Sequence, residues 1–205
     1  MKVFLISHIA DVDGLTPVVL SKLVFEDLDY KLLEASEVSS FMEDALNNNL
    51  FDEYDKVFMT DLCVNEIVAE RINKLPFKDK FQVLDHHMAC LDLNKYSFIT
   101  VIVEENGIKE CGTSLYYKYL LEHYPIKILA RESVSYMVSL VRLGDTWEWK
   151  KYNKEEARYL TILLDYYGVD KFINNYVDFL LANEKFYFTE VEKTFIDLDN
   201  KRMFD

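Results

Sequence analysis

Three of the four histidines and a set of aspartates fall where short apolar runs end. His8, Asp11 and Asp13 follow KVFLI, Asp61 follows KVFMT, and Asp85, His86 and His87 follow FQVL. Ionised carboxylates within a few ångström of one another repel and raise each other's pKa unless a cation neutralises them. Mixed imidazole and carboxylate donors without thiolate suit Mn²⁺, Fe²⁺, Co²⁺ or Zn²⁺ better than Ca²⁺. The donors suffice for two ions that share one aspartate. Two divalent ions about 3.5–4 Å apart are the usual arrangement for activating water and stabilising phosphoryl transfer.

For residues this far apart in sequence to meet, the elements carrying them must end on one edge. The β-rich runs are 2–6, 30–35, 56–60, 81–84 and 98–103. Between the first four lie segments of helical spacing: Leu15 to Asp27 with Pro17 in its first turn, Ser40 to Leu46, and Val64 to Leu75. Alternating strands and helices imply right-handed crossovers and a parallel sheet covered on both faces. The fold expected is α/β, a doubly wound, mostly parallel five-stranded sheet with flanking helices. Ligands in such sheets bind outside the carboxyl ends of the strands, where these histidines and aspartates sit. After Gly107 the character changes: 112–124, 128–143, 154–167, 169–182 and 184–198 read as helices, with no further strand. The pattern therefore reads as an α/β core to about residue 105 followed by a helical region.

Four segments in order, SHIADVDG (7–14), MTDL (59–62), LDHH (84–87) and LGDTW (143–147), resemble the motifs of the DHH phosphoesterases. That family includes family II inorganic pyrophosphatases, RecJ-like exonucleases and the nano-RNases. The resemblance covers residues 1 to about 150 and is nearest to the nano-RNase, or oligoribonuclease-like, branch; it implies a metal-binding catalytic α/β domain over 1–150, with a helical extension or linker region over 151–205. It implies two divalent ions, manganese by preference, and a hydroxide between them as nucleophile. It also implies that His8, Asp11 and Asp61 hold one ion, and Asp13, Asp61, His86 and Asp145 the other, with Asp61 bridging. Asp145 sits in the loosest of the four motifs. The catalytic residues so implied are Asp61, His87, which contacts the substrate phosphate, and Asp85, which orients a ligand imidazole. The activity implied is hydrolysis of phosphodiester or phosphomonoester bonds in short oligoribonucleotides or small nucleotides. The family's substrate-binding second domain often carries a glycine-rich motif ending in histidine; nothing like it appears among only five glycines. The expectation is a catalytic half lacking its C-terminal substrate-binding domain, with a homodimer through the helical region as one further partner.

The net charge of −13 argues against gripping long nucleic acid by the overall field, although bound ions would reverse the sign locally for a small anion. Three scattered cysteines suit a reducing compartment rather than a disulfide framework, and MKVFLISHIA is too short and too soon interrupted by acids to span a membrane. The expected location is the cytoplasm. Blander readings exist for each residue. DVDG is common turn chemistry, Asp61 can cap a helix, and Cys63 and Cys90 are read as packing residues. Trp147 and Trp149 are read as core, with base stacking as the alternative. Arg131 and Arg142 are candidates for a phosphate contact, and His123 for a helix end. The rival functions are a receiver-like signalling domain, which also places acids after its first and third strands, and a DHH domain that binds a nucleotide without turning it over. A receiver has no use for His8 or for the Asp85–His87 triplet.

Overall fold

The computed structural model describes residues 1–202. The apolar runs form five strands: β1 (Lys2–His8), β2 (Asp27–Leu33), β3 (Lys56–Thr60), β4 (Phe81–Asp85) and β5 (Ile99–Val101). They lie in the order β2-β1-β3-β4-β5, all parallel, as the alternation of strand and helix predicts. The direction of winding changes between β1 and β3, which opens a crevice at their carboxyl ends. The register keeps those ends level. Ser7 stands beside Thr60, and Thr60 beside Leu84, so the residues that follow each strand emerge side by side.

Alternation along β1 sorts the two faces of the sheet. Val3 and Leu5 pack with α1 (Val12–Val24) and α4 (Gly112–His123), and Phe4 and Ile6 with α2 (Val38–Asn47) and α3 (Glu66–Asn73). All four are buried, each contributing about 1.5–3 kcal/mol of transfer free energy. The first face also takes α5 (Glu132–Asp145), α6 (Glu156–Tyr167), α7 (Val169–Ala182) and α8 (Glu190–Arg202). Phe172, Ile173 and Leu180 of α7 share one apolar cluster with Val18 and Val19 of α1.

Several boundaries differ from those read in the sequence. α1 begins at Val12, with Asp11 as its cap accepting from the Gly14 N–H at 2.9 Å. Pro17 therefore lies inside the helix rather than in its first turn. A proline there leaves the carbonyl four residues back without its helical partner. That carbonyl belongs to Asp13, and the Thr113 hydroxyl of α4 donates to it at 2.8 Å. β2 starts earlier than expected, and β5 is shorter. A small hairpin, β6 (Glu104–Glu105) and β7 (Ile108–Lys109), lies where no strand was expected. Asn106 and Gly107 turn it with φ of 53° and 78°, the pair of left-handed residues that a tight hairpin favours. Residues 184–189 are irregular, and α8 opens only at Glu190. Thr189 caps it, with the Glu192 carboxylate reaching back to the Thr189 N–H at 2.7 Å. Among the described residues no helix is long and apolar enough to cross a membrane.

Candidate metal centre

His8 is the last residue of β1, and its position depends on Gly14. A Cβ there would lie 2.1 Å from the His8 carbonyl oxygen, so only glycine lets the start of α1 fold back against the strand end. Below the site the Ser7 hydroxyl bonds the Thr60 hydroxyl at 2.7 Å and the Gly14 carbonyl at 2.6 Å, tying β1, β3 and α1 together. Asp61 leaves β3 in a left-handed conformation, φ 54°, with its N–H donating to the Leu84 carbonyl at 3.1 Å. That backbone turn aims its side chain back into the crevice rather than along a helix as a cap. α4 seats its first residues against it: a Cβ on Gly112 would come within 2.6 Å of the Asp61 Cβ.

Asp61 belongs to two donor groups at once. Its Oδ2 lies 3.4 Å from His8 Nδ1, which is itself 3.7 Å from Asp11 Oδ2. Its Oδ1 lies 3.2 Å from His86 Nε2. The same His86 nitrogen is 3.8 Å from Asp13 Oδ2 and 3.7 Å from Asp145 Oδ2. Within His8–Asp11–Asp61, and within Asp13–His86–Asp145, every donor atom lies within 4.8 Å of the others. Residues named in both of the expected sets thus lie together, and Asp61 approaches a histidine of each. Asp145, from the loosest motif, is carried in as the last residue of α5.

The electrostatics follow from crowding carboxyls and imidazoles in a partly buried crevice. Asp13 and Asp61 are almost wholly buried, at 2% and 3% exposure. Burial, then the charges of Asp61 and Asp145, push the Asp13 carboxyl well up. It is held in place by the N–H groups of Gly112 and Thr113 at 2.7 and 2.8 Å, at the positive end of α4. Burial likewise lifts Asp145 to about 6, with Asp61 and Asp11 adding to it against the pull of His86. His8 rises to about 10 through its hydrogen bonds with Asp11 and Asp61. Burial alone would lower His86, but the Asp61 hydrogen bond and the charges of Asp13 and Asp145 outweigh it and raise it to about 9. Clustered nitrogen and oxygen donors of this kind could hold a divalent ion.

Asp85 and His87 adjoin the same centre: one donor atom from each of Asp61, Asp85, His86 and His87 also lies within 4.8 Å of the others. Asp85 Oδ1 meets His87 Nδ1 at 2.7 Å, so the carboxylate orients His87 rather than either imidazole of the two donor groups. That bond raises His87, and it lowers Asp85 against the effect of burial. The His87 side chain is about half exposed. Asp85 Oδ2 is buried without a hydrogen-bond partner among the described residues. Cys63 and Cys90, read as scattered packing residues, come within 4.8 Å of Asp85 and of each other.

Other sequence candidates sit elsewhere. Arg142 bonds Glu148 at 3.0 Å and the Lys109 carbonyl at 3.1 Å, and Arg131 holds the carbonyls of Leu180 and Leu181, so both guanidinium groups serve the fold. His123 stacks on Tyr119 with ring centroids 4.0 Å apart. Glu34 went unnoticed in the sequence although it follows β2 on the same edge; its Oε2 is 3.6 Å from His8 Nε2. A groove of about 810 Å³ at the far end of α5, lined by Tyr136, Tyr159, Phe186 and Phe188, contains none of these residues.

The four motifs meet at the strand ends of one parallel sheet, and the chain belongs to the DHH phosphoesterase family. It is 32% identical over 200 residues to the oligoribonuclease NrnB of Bacillus subtilis, a match covering 94% of this chain and 49% of the relative. It is 27% identical over 168 residues to a 3',5'-cyclic-nucleotide phosphodiesterase of Helicobacter pylori, covering 76% of this chain and 46% of that one. The chain therefore spans about half the length of the curated relatives it matches. No family model matches it. A crystal structure of an uncharacterized protein from Helicobacter pylori G27 shares the fold, with a TM-score of 0.71 at 21% identity over 98% of this chain and 62% of the other.

Proposed function

We propose that the chain is the catalytic part of a two-metal phosphoesterase that hydrolyses phosphate esters in short oligoribonucleotides or small nucleotides, with manganese as the preferred ion and the cytoplasm as its place of work. The observation that carries this reading is Asp61, whose two carboxylate oxygens face two different donor groups at 3.4 and 3.2 Å. Bound there, two divalent ions would lower the pKa of water and offset charge on the phosphoryl oxygens. The protein's own contribution is to hold that geometry. Asp13 is fixed by the first N–H groups of α4, Asp61 by its turn, and His8 by Gly14. His87, oriented by Asp85 and with its pKa raised by that bond, would present Nε2 to a phosphate oxygen of the substrate. The names of the two relatives, an oligoribonuclease and a cyclic-nucleotide phosphodiesterase, favour nucleotide phosphodiesters over pyrophosphate. The net charge of −13 favours small substrates over long polymers.

The test is turnover with Mn²⁺ of an RNA pentamer, a linear dinucleotide, a nucleotide bisphosphate and pyrophosphate, beside Asp61→Asn. The expected result is hydrolysis of the dinucleotide or the pentamer, two bound ions per chain, and loss of both turnover and the ion pair in the variant with the fold intact. Undiminished turnover in Asp61→Asn, or tight nucleotide binding without any turnover in the ion-loaded protein, would overturn it.

A further inference from the structure

Trp147 does not pack in the core. Its side chain is 73% exposed, whereas Trp149, two residues on, is partly buried against the main apolar cluster. The backbone at Trp147 is left-handed, φ 58°, a conformation that bulky residues avoid and that persists only when the surroundings enforce it. The surroundings do so here. Glu148, 8% exposed, takes Arg142 at 3.0 Å and Lys151 at 3.3 Å, and Arg142 reaches on to the Lys109 carbonyl at 3.1 Å. The N–H groups of Thr146, Trp147 and Trp149 all return to the end of α5, at 3.0, 3.2 and 3.2 Å. A large apolar ring is thus held out toward solvent by a rigid, strained loop, two residues beyond Asp145. It also faces something definite. Trp147 lines a cavity of about 220 Å³ together with Asp11, Asp13, Asp145 and Thr161, carboxylates from both donor groups among them.

We propose that Trp147 is the stacking platform of a nucleobase subsite, holding the base of the nucleotide whose phosphate is bound at the carboxylate and histidine centre. The assignment rests on the phosphoesterase reading for that phosphate, and it deepens the reading by naming the second group recognised. The chemistry fits a base better than any other part of such a substrate. Carboxylates and their ions take the phosphate, while a neutral aromatic face takes a flat ring. Every base offers a π-face, so stacking gives affinity without sequence preference, which suits a short substrate of any sequence. Pyrophosphate, which has no base, gains nothing from it.

The test compares a ribodinucleotide with its analogue abasic on one residue, in wild type, Trp147→Ala and Trp147→Phe. Removing the indole should cut kcat/KM on the dinucleotide by about five- to hundred-fold, chiefly through KM. Removing the base should cost the wild type a similar factor, and the two losses should not add. Trp147→Phe should recover most of the loss. Equal losses on both substrates, or no loss on either, would overturn the subsite. A second measurement separates its failure from that of the phosphoesterase reading: titration of the dinucleotide in Ca²⁺, followed by tryptophan emission. Quenching that disappears in Trp147→Phe supports the subsite even if nothing is turned over. Quenching that is unchanged in Trp147→Phe, or absent from the wild type, rules it out. A change in association state in place of dinucleotide affinity would make Trp147 a protein contact and would also overturn the subsite.

Discussion

At the scale of residues, the raised pKa values of the clustered histidines and carboxyls give the ion-free centre a pH signature. His8 and His86, raised to about 10 and about 9, bind a proton more tightly in the folded chain than in the unfolded one. Their contribution to stability is complete below the ordinary value of 6.5 and is lost as pH rises through those higher values. Asp145, raised to about 6, acts in the same sense, because its ionisation charges a carboxyl that folding has partly desolvated. The ion-free protein should therefore lose thermal stability steadily from about pH 4 to about pH 10. Divalent ions should restore more stability the higher the pH, since they replace the protons. Thermal melts with chelator and with a divalent ion across that range check both statements. A chelated protein whose Tm rises over the alkaline half would contradict them.

At the scale of elements, the centre depends on close approaches that only glycine allows. Gly112 brings α4 against Asp61 while its N–H holds Asp13, so one residue sets the distance between these two carboxylates. A Cβ at this position would meet the Asp61 Cα and backbone N at 2.8 Å, atoms that cannot swing away as a side chain end would. Gly112→Ala is expected to cost about 1–3 kcal/mol of stability. It should also weaken divalent-ion binding, because strain is relieved by moving Asp61. Denaturant unfolding of the chelated protein and ion stoichiometry of the loaded one measure the two effects. Pro17 and Thr113 add a second link between α1 and α4, the hydroxyl serving the carbonyl that the proline leaves without a helical donor.

At the scale of the whole molecule, α1 stands between the sheet and the C-terminal helices. Leu15, Val18, Val19 and Leu20 are each at most 1% exposed, covered by the sheet on one side and by α5, α6 and α7 on the other. Since α1 also carries Asp13, the helices beyond residue 150 support the centre without supplying a ligand to it. Phe172 of α7 is fully buried in the shared cluster. Phe172→Ala should destabilise the chain by about 3–5 kcal/mol. The loss should appear in one transition seen alike by far-ultraviolet circular dichroism and tryptophan fluorescence. Separate transitions would mean that α7 unfolds independently of the sheet.

Much of this was legible in the chain itself. Strands bounded by turn residues, helices at 3.6-residue spacing, and acids and histidines after three of the five strands imply a parallel sheet and a convergent site, because topology leaves those strand ends no other edge on which to meet. The hairpin at Asn106–Gly107 and the Thr189–Glu192 cap were also written there in local signals that went unread. Other features depend on contacts between residues with no relation in sequence. That Asp61 turns left-handed and divides its oxygens between two groups follows from the packing of β3, β4 and α4 around it. That Cys63 and Cys90 meet at Asp85, and that Glu34 reaches His8, follows from the register of the strands. Whether a tryptophan is core or platform depends on the side of the loop that is covered, and only the folded chain decides that. Local spacing specifies which elements form and where they end, whereas burial and orientation are properties of the assembled packing.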